Sequence, residues 1–483
     1  MVSNLKKQFS NYFKKRKLIL LITFTYTAIV LLVLLHRFWQ YEAFYYDHGM
    51  MEGTAWQVSR FKLPFHHREY GKVINYVDHL YPSLQLVLAP FYWLFPFYET
   101  PIIVMSLLIG LSVLAAWEIA DHLIENKLMA YTLLFAYLGY IGLQNALIFL
   151  IHDITLQIPF LMLLFLSLIK DKKRWFYLLL FINLGFKESV AISTLTLGIS
   201  LLFFYKKKWR RDALAIILIS IAYGWLAAKI IVPYCRQISF HKPEKFAYSP
   251  ELPTNPLNYL TYFLDTPQKR ETIFVSLATF GFLPLFSVFS LPLILQDFAQ
   301  RFVLLAPHSP LRQGLNLHYN ANLAVLLFIG SVWAVSWLEK KKIYRKLINL
   351  HALLIIAMTV FFHQFVYHGP LGLIYNPDFF KITRQMKFMD EFVAKIPQQG
   401  KIMTQNNLAV RFTHQDLYLL LSEKILRRVQ PDVIAFDFRP GQNINNFWPM
   451  TEKELQDLAE TLLKDKQYTP IYKEDCRYIF VKK

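Results

Sequence analysis

The sequence predicts a polytopic α-helical membrane protein with a small α/β domain at its C-terminal end. Three observations predict it. Hydrophobic residues make up 55% of the 483 residues and aromatic ones 17%, gathered into runs near the length that crosses a bilayer. Lys and Arg, which give a net charge of +19, fall largely in short clusters at the ends of those runs. That is the positive-inside pattern, which assigns the charge to membrane orientation and away from nucleic acid. After residue 367 the composition turns to that of a soluble domain.

The first apolar run, 18–36, has no small-residue cleavage site and follows Lys6, Lys7, Lys14, Lys15, Arg16 and Lys17, so it reads as an uncleaved helix with its N-terminus in the cytoplasm. It delivers Phe44-Tyr-Tyr-Asp47-His48-Gly49 to the outer side and opens a long polar and aromatic loop, 38–83. The stretch 84–98 is short and carries Pro90 and Pro96, which suits a broken or in-plane helix. Runs at 101–120, 129–148 and 150–169 then cross, placing His152 and Asp153 at the outer face.

Between basic clusters at 170–174 and 206–211 lie about thirty apolar residues interrupted by Gly185-Phe-Lys187-Glu188-Ser189. Both flanks belong to the cytoplasm, so the segment is a hairpin of two short helices whose charged tip faces protein or water rather than lipid. Residues 213–233 cross outward to a proline-rich loop with Pro243, Pro250, Pro253, Pro256 and Pro267. A second short pair, 272–283 and 285–298, is broken by Pro284, and spans follow at 321–338 and 347–366. The sum is about 11 transmembrane segments plus in-plane helices, residues 1–366 forming the membrane domain. Residues 367–483 form the α/β domain, with helices expected at 378–396 and Glu452–Lys464 and strands at Lys401–Thr404, Val433–Phe438 and Tyr478–Val481. Parity places it outside, in the periplasm or beyond the cell.

Cys235 and Cys476 have neither metal-ligand nor redox-motif spacing. Both fall outside on this topology, where a disulfide between the last domain and the membrane body is one expectation.

In order along the chain, Asp47-His48-Gly49-Met50 with Trp56, Asp78-His79-Leu80-Tyr81-Pro82-Ser83, Leu88-Ala89-Pro90, His152 with Pro159, Lys187-Glu188 and His318-Tyr319 resemble the pattern of an uncharacterised family of bacterial predicted membrane proteins. That family is in turn similar to the GT-C superfamily of polytopic glycosyltransferases, which take a sugar from a polyprenyl-phosphate carrier on the outer face. The resemblance implies a GT-C-like fold in the inner membrane, a polyprenyl-phosphate-linked sugar donor, contact with membrane lipids, and a glycan, lipid or protein acceptor. Asp47 stands where the superfamily carries its catalytic base. His79 stands where a lysine of the Lys-Pro stretch is found in the lipid-A and protein enzymes.

Such a transfer needs a carboxylate to take the acceptor's proton and cations to stabilise the departing phosphate. Asp47 is the candidate base and Asp78 the candidate second acid; Glu52 and Asp153 are alternatives. Arg312 with His318 and Tyr319 is the first candidate for the phosphate, since a guanidinium grips phosphate oxygens bidentately, and Lys187 the second. His48, His79, His152 and Glu188 complete the candidate binding set. Each has a plainer reading: Asp47 as a helix cap, Arg312 as a snorkelling cation, Lys187 as half of a buried pair with Glu188 or Asp153, the histidines as satisfied interfacial groups. The first loop has no Asp-x-Asp pair, so no metal is inferred from it, while the histidines beside Asp78 or Asp153 keep a divalent metal open as cofactor. A transporter or scaffold for a lipid-linked intermediate, without chemistry, is the alternative, since paired half-helices suit it too.

Overall fold

The computed structural model describes residues 16–68, 71–240, 255, 257–304 and 309–483. The chain is a mostly helical membrane protein with a small C-terminal sheet. Among the described residues five helices are long and apolar enough to cross a membrane: Lys17–Trp39, Thr100–Leu123, Lys207–Phe240, Pro310–Leu338 and Lys342–Val366. A sixth is Lys127–Gly139 with Ile141–Ile148 if that pair, bent by 43°, is one span. The bend falls inside the run expected as a single helix over 129–148, at Tyr140, whose extended backbone (ψ 121°) interrupts the helical ladder.

In chain order the elements are α1 (Lys17–Trp39), α2 (Met50–Ser59), the hairpin β1 (Phe65–Arg68) and β2 (Gly71–Ile74), α3 (Pro82–Leu94), α4 (Thr100–Leu123), α5 (Lys127–Gly139), α6 (Ile141–Ile148) and α7 (Asp153–Ile169). Next come α8 (Lys173–Leu184), α9 (Val190–Phe204), α10 (Arg210–Leu226), α11 (Val232–Phe240), α12 (Leu257–Leu264), α13 (Pro267–Thr279), α14 (Leu291–Ala299), α15 (Pro310–Gln313), α16 (Ala321–Leu338) and α17 (Lys342–Val360). Buried residues of α1, α4–α9, α14 and α16 form one apolar core. α16 sits at its centre, and Leu323 to Val332 are all buried along it, which is why its sequence is apolar on every side.

The short-helix hairpin is present: α8 and α9 meet at the break Gly185–Ser189. The Gly185 carbonyl accepts the amide of Ser83 (2.8 Å) where α3 begins. A side chain at Gly185 would meet Ser83, its Cβ 3.2 Å from Ser83 Cβ, so glycine is what lets the two elements touch. The pair expected at 272–298 breaks earlier than Pro284, at Gly281 and Phe282, both with positive φ (58° and 57°). The prolines at 243, 250, 253 and 256, and His308, lie outside the described residues.

After residue 367 come α18 (Arg384–Ala394), β3 (Lys401–Thr404), α19 (Asn406–Ala409), β4 (Asp416–Leu419), α20 (Glu423–Val429), β5 (Val433–Asp437), α21 (Glu452–Lys464), β6 (Tyr468–Glu474) and β7 (Arg477–Lys482). The strands order β4-β3-β5-β7-β6. β3 runs parallel to β4 and β5, and β7 antiparallel to β5 and β6. All five residues of the central β5 are buried. This sheet has its own core, which reaches out to Tyr41, Tyr45 and Met50 of the first loop. The expected disulfide is absent: Cys235 is free and buried beside Val73, Ile74 and Val77, whereas Cys476 is free and exposed at the β6–β7 turn.

Candidate functional site

α1 ends at Trp39, and the chain reverses through Tyr41, at φ 62°, into the short turn Tyr45–Gly49 ahead of α2. Within that turn Asp47 takes φ 73° and ψ −80°, the γ-turn conformation with positive φ that side-chain-bearing residues rarely adopt. Its carboxylate, 38% exposed, points into a cleft of about 220 Å³. Asp47, Asp78, His79, His152, Asp153, Lys187, Arg312, His318 and Tyr319 all line this cleft. Segments separated by up to 272 positions in sequence therefore converge on one space.

α7 begins there. His152 is its N-cap and Asp153 its first residue, so the Asp153 carboxylate receives the amide of Ile154 (2.6 Å). Asp153 is also clamped from both sides, 2.5 Å from His152 Nδ1 and 3.3 Å from Lys187 Nζ. The His152 ring stacks on His318, centroids 3.6 Å apart, and its Nε2 lies 4.0 Å from Asp47 Oδ1. His318 and Tyr319 occupy the single turn that leads into α16, and the Arg312 guanidinium lies 5.6 Å above the Tyr319 ring. Among the described residues Arg312 makes no ion pair, whereas Lys187 is shared with Asp153.

Asp78 lies at the rim, where Arg236 binds its carboxylate (3.1 Å) and donates from Nε to the carbonyl of Val77 (2.6 Å). His79 is held from behind by Glu188 (2.9 Å), which also accepts the amide of Leu80 (2.9 Å). Burial alone raises the Glu188 carboxyl, yet the His79 ring, Lys187 and that amide together hold it below the usual carboxylate range.

Three expected site residues are placed elsewhere. Glu188 stands behind the cleft and orients His79. His48 is buried under the turn, its Nδ1 accepting the amide of Ile151 (3.4 Å). Burial, with Arg411 nearby, pushes its pKa down to about 3, so it is a neutral structural peg. Glu52 is wholly buried against the C-terminal domain, where it accepts from Tyr92 (2.9 Å), from His414 Nε2 (2.7 Å) and from the Thr413 hydroxyl. It faces away from the cleft because, as the third residue of α2, it lies on the side of that helix that meets that domain.

The sequence reading missed Asp297, Arg301 and Asn322, which also line the cleft. Arg301 pairs with Asp297 (3.2 Å) and donates to Asn320 (2.9 Å). Asn322 opens a polar chain through Gln157 (2.9 Å) to Asn183 (3.1 Å). An Asp and an Arg four residues apart in an otherwise apolar run were a usable signal, because intramembrane charges are costly and seldom idle. For a metal, among the described residues no group of three or more His, Cys, Asp or Glu side chains is disposed to hold one.

The arrangement offers a strained carboxylate open to solvent, a second acceptor in His152, and cations in the same lining. A model of the family described as predicted membrane protein (DUF2079) matches residues 37–476, which covers every residue of the cleft, and the chain belongs to that family. No curated protein matches it.

Proposed function

We propose that the chain is an integral membrane glycosyltransferase of GT-C type that moves a sugar from a polyprenyl-phosphate carrier to a glycan, lipid or protein acceptor. On this reading it lies in the inner membrane with about 11 transmembrane segments plus in-plane helices, its N-terminus cytoplasmic and its C-terminal domain on the outer face. The observation that carries the reading is that Asp47 and Arg312 line one cleft. Asp47, with His152 Nε2 at 4.0 Å, and Arg312, which makes no ion pair among the described residues, offer substrate a base and a phosphate-binding fork.

In the reaction the acceptor oxygen bonds to the sugar's anomeric carbon while that carbon's bond to the phosphate oxygen breaks, the electron pair leaving with the phosphate. Asp47 takes the acceptor proton, and Arg312 with Lys187 stabilises the charge that grows on the phosphate. His152, fixed by Asp153 and stacked on His318, gives Asp47 a neighbour that keeps its orientation.

The test is native mass spectrometry of the gently solubilised protein, followed by transfer assays with the prenyl-phosphate sugar that leaves with it. A co-purified prenyl phosphate and transfer that disappears in Asp47→Asn are expected. Retention of prenyl phosphate with full activity in Asp47→Asn would remove Asp47 from the chemistry. Retention without transfer to any acceptor would favour the scaffold alternative, for which the half-helices α8 and α9 are also suited.

A further inference from the structure

The turn that carries Asp47 closes on itself through the Gly49 amide and the Phe44 carbonyl (3.1 Å), and it is also held from outside. The Tyr46 amide, one residue before the strained position, donates to Asn406 Oδ1 (3.1 Å) on α19 of the C-terminal domain. Asn406 is buried, and its Nδ2 donates to the Asn445 carbonyl (2.9 Å), so the amide cannot turn round without losing both bonds. The Tyr46 ring meets Trp448 edge-on at 4.3 Å.

The same domain grips the chain on either side of the turn. Upstream, Arg411 donates to the Phe38 carbonyl (2.8 Å) and packs 3.9 Å over the Phe38 ring. Downstream, Thr413 and His414 close on Glu52, and Gly53 leaves room for Thr413. A Cβ at position 53 would lie 3.1 Å from Thr413 Cβ and 3.2 Å from its carbonyl oxygen. A strained conformation persists only where its surroundings over-determine it, and here part of those surroundings belongs to the sheet domain.

We propose that the C-terminal domain is the clamp that sets Asp47 in the cleft, with Asn406 as its positioning residue. When Asn406 lets go of Tyr46, the turn relaxes out of positive φ and the carboxylate leaves the cleft. The catalytic consequence rests on the glycosyltransferase reading; the clamp stands on the contacts alone.

The experiment uses the full chain in detergent, as wild type, Asn406→Leu, Asn406→Asp and Trp448→Ala, the last altering a half-exposed ring. Hydrogen exchange of a peptide covering residues 44–49 is followed together with transfer kinetics. In Asn406→Leu this peptide is expected to exchange about tenfold faster or more, with peptides of α4 and α16 unchanged. Trp448→Ala moves it in the same direction, and Asn406→Asp, which keeps the acceptor for the Tyr46 amide but loses the donor to the Asn445 carbonyl, falls between wild type and Asn406→Leu. Transfer by Asn406→Leu falls in kcat with KM for the prenyl-phosphate donor unchanged, and Asn406→Asp recovers part of it. Unchanged exchange at 44–49 in both Asn406→Leu and Trp448→Ala overturns the clamp whatever transfer shows. Faster exchange with unchanged kcat overturns the positioning role. Faster exchange in a wild-type background that transfers no sugar overturns the glycosyltransferase reading, and the positioning role with it, while leaving the clamp.

Discussion

Replacing Asp47 by glycine separates what this residue costs the fold from what it does. At φ 73° and ψ −80° its backbone lies where a side chain is strained, a penalty of about 1–3 kcal/mol. Glycine removes that penalty but adds about 0.5–1 kcal/mol of backbone entropy to be lost on folding. Alanine keeps the Cβ, hence the strain, and loses the carboxylate. Asp47→Gly is therefore expected to be more stable than Asp47→Ala by about 1 kcal/mol, the sign set by positive φ. Both variants, purified in one detergent, are compared by the midpoint of heat-induced unfolding, and both are assayed for transfer from the co-purified prenyl-phosphate sugar. The expected pattern is a higher midpoint for the glycine variant and no transfer from either. A glycine variant that melts below the alanine variant would show that the turn is relaxed at Asp47, and the argument from strain to function would fail with it.

Other outcomes follow from the same contacts. Glu52→Leu leaves Tyr92, Thr413 and His414 without their shared acceptor and is expected to destabilise docking of the C-terminal domain by about 3 kcal/mol or more, read as faster proteolysis between residues 367 and 384. His67, whose Nδ1 accepts the amide of Leu419 (3.1 Å), is pushed down to about 4, first by burial and then by Arg428 and Lys72. It contributes full stability above about pH 6.5, where it is neutral folded or unfolded. As pH falls from there to about 4 the unfolded chain takes a proton that the folded one refuses, and about 3 kcal/mol is lost; a His67→Gln variant melts without that pH dependence. Arg312→Gln removes a cleft cation that makes no ion pair among the described residues and is expected to weaken prenyl-phosphate retention about tenfold in native mass spectrometry.

Much of the cleft was legible because charge in an apolar setting is conspicuous. Asp47, His152, Asp153, Lys187 and His318 each interrupt or end a hydrophobic run, and the structure brings them together. Arg301 was equally conspicuous but reads as a boundary marker when only topology is considered. The hidden part is rotational: nothing in Asp47-His48-Gly49-Met50-Met51-Glu52 says that Asp47 faces the cleft while Glu52 faces the sheet domain. Asn406 gives no signal either, because a buried amide that holds another segment's backbone looks like any loop asparagine. In the last domain β3 and α21 are readable to the residue. The edge strands β4 and β6 are not: β4 has only two buried residues, and β6 carries Pro470 and is mostly exposed.

The contact between Ser83 and Gly185 joins the start of α3 to the tip that carries Lys187, with no volume to spare between them. Positions 83 and 185 thus draw on a single space, and neither can enlarge alone. Among homologous sequences the two are expected to vary as a pair, a bulkier residue at 185 appearing only with glycine or alanine at 83. A sequence that carries bulk at both should have moved α3 away from the half-helix hairpin, and with it the wall of the cleft.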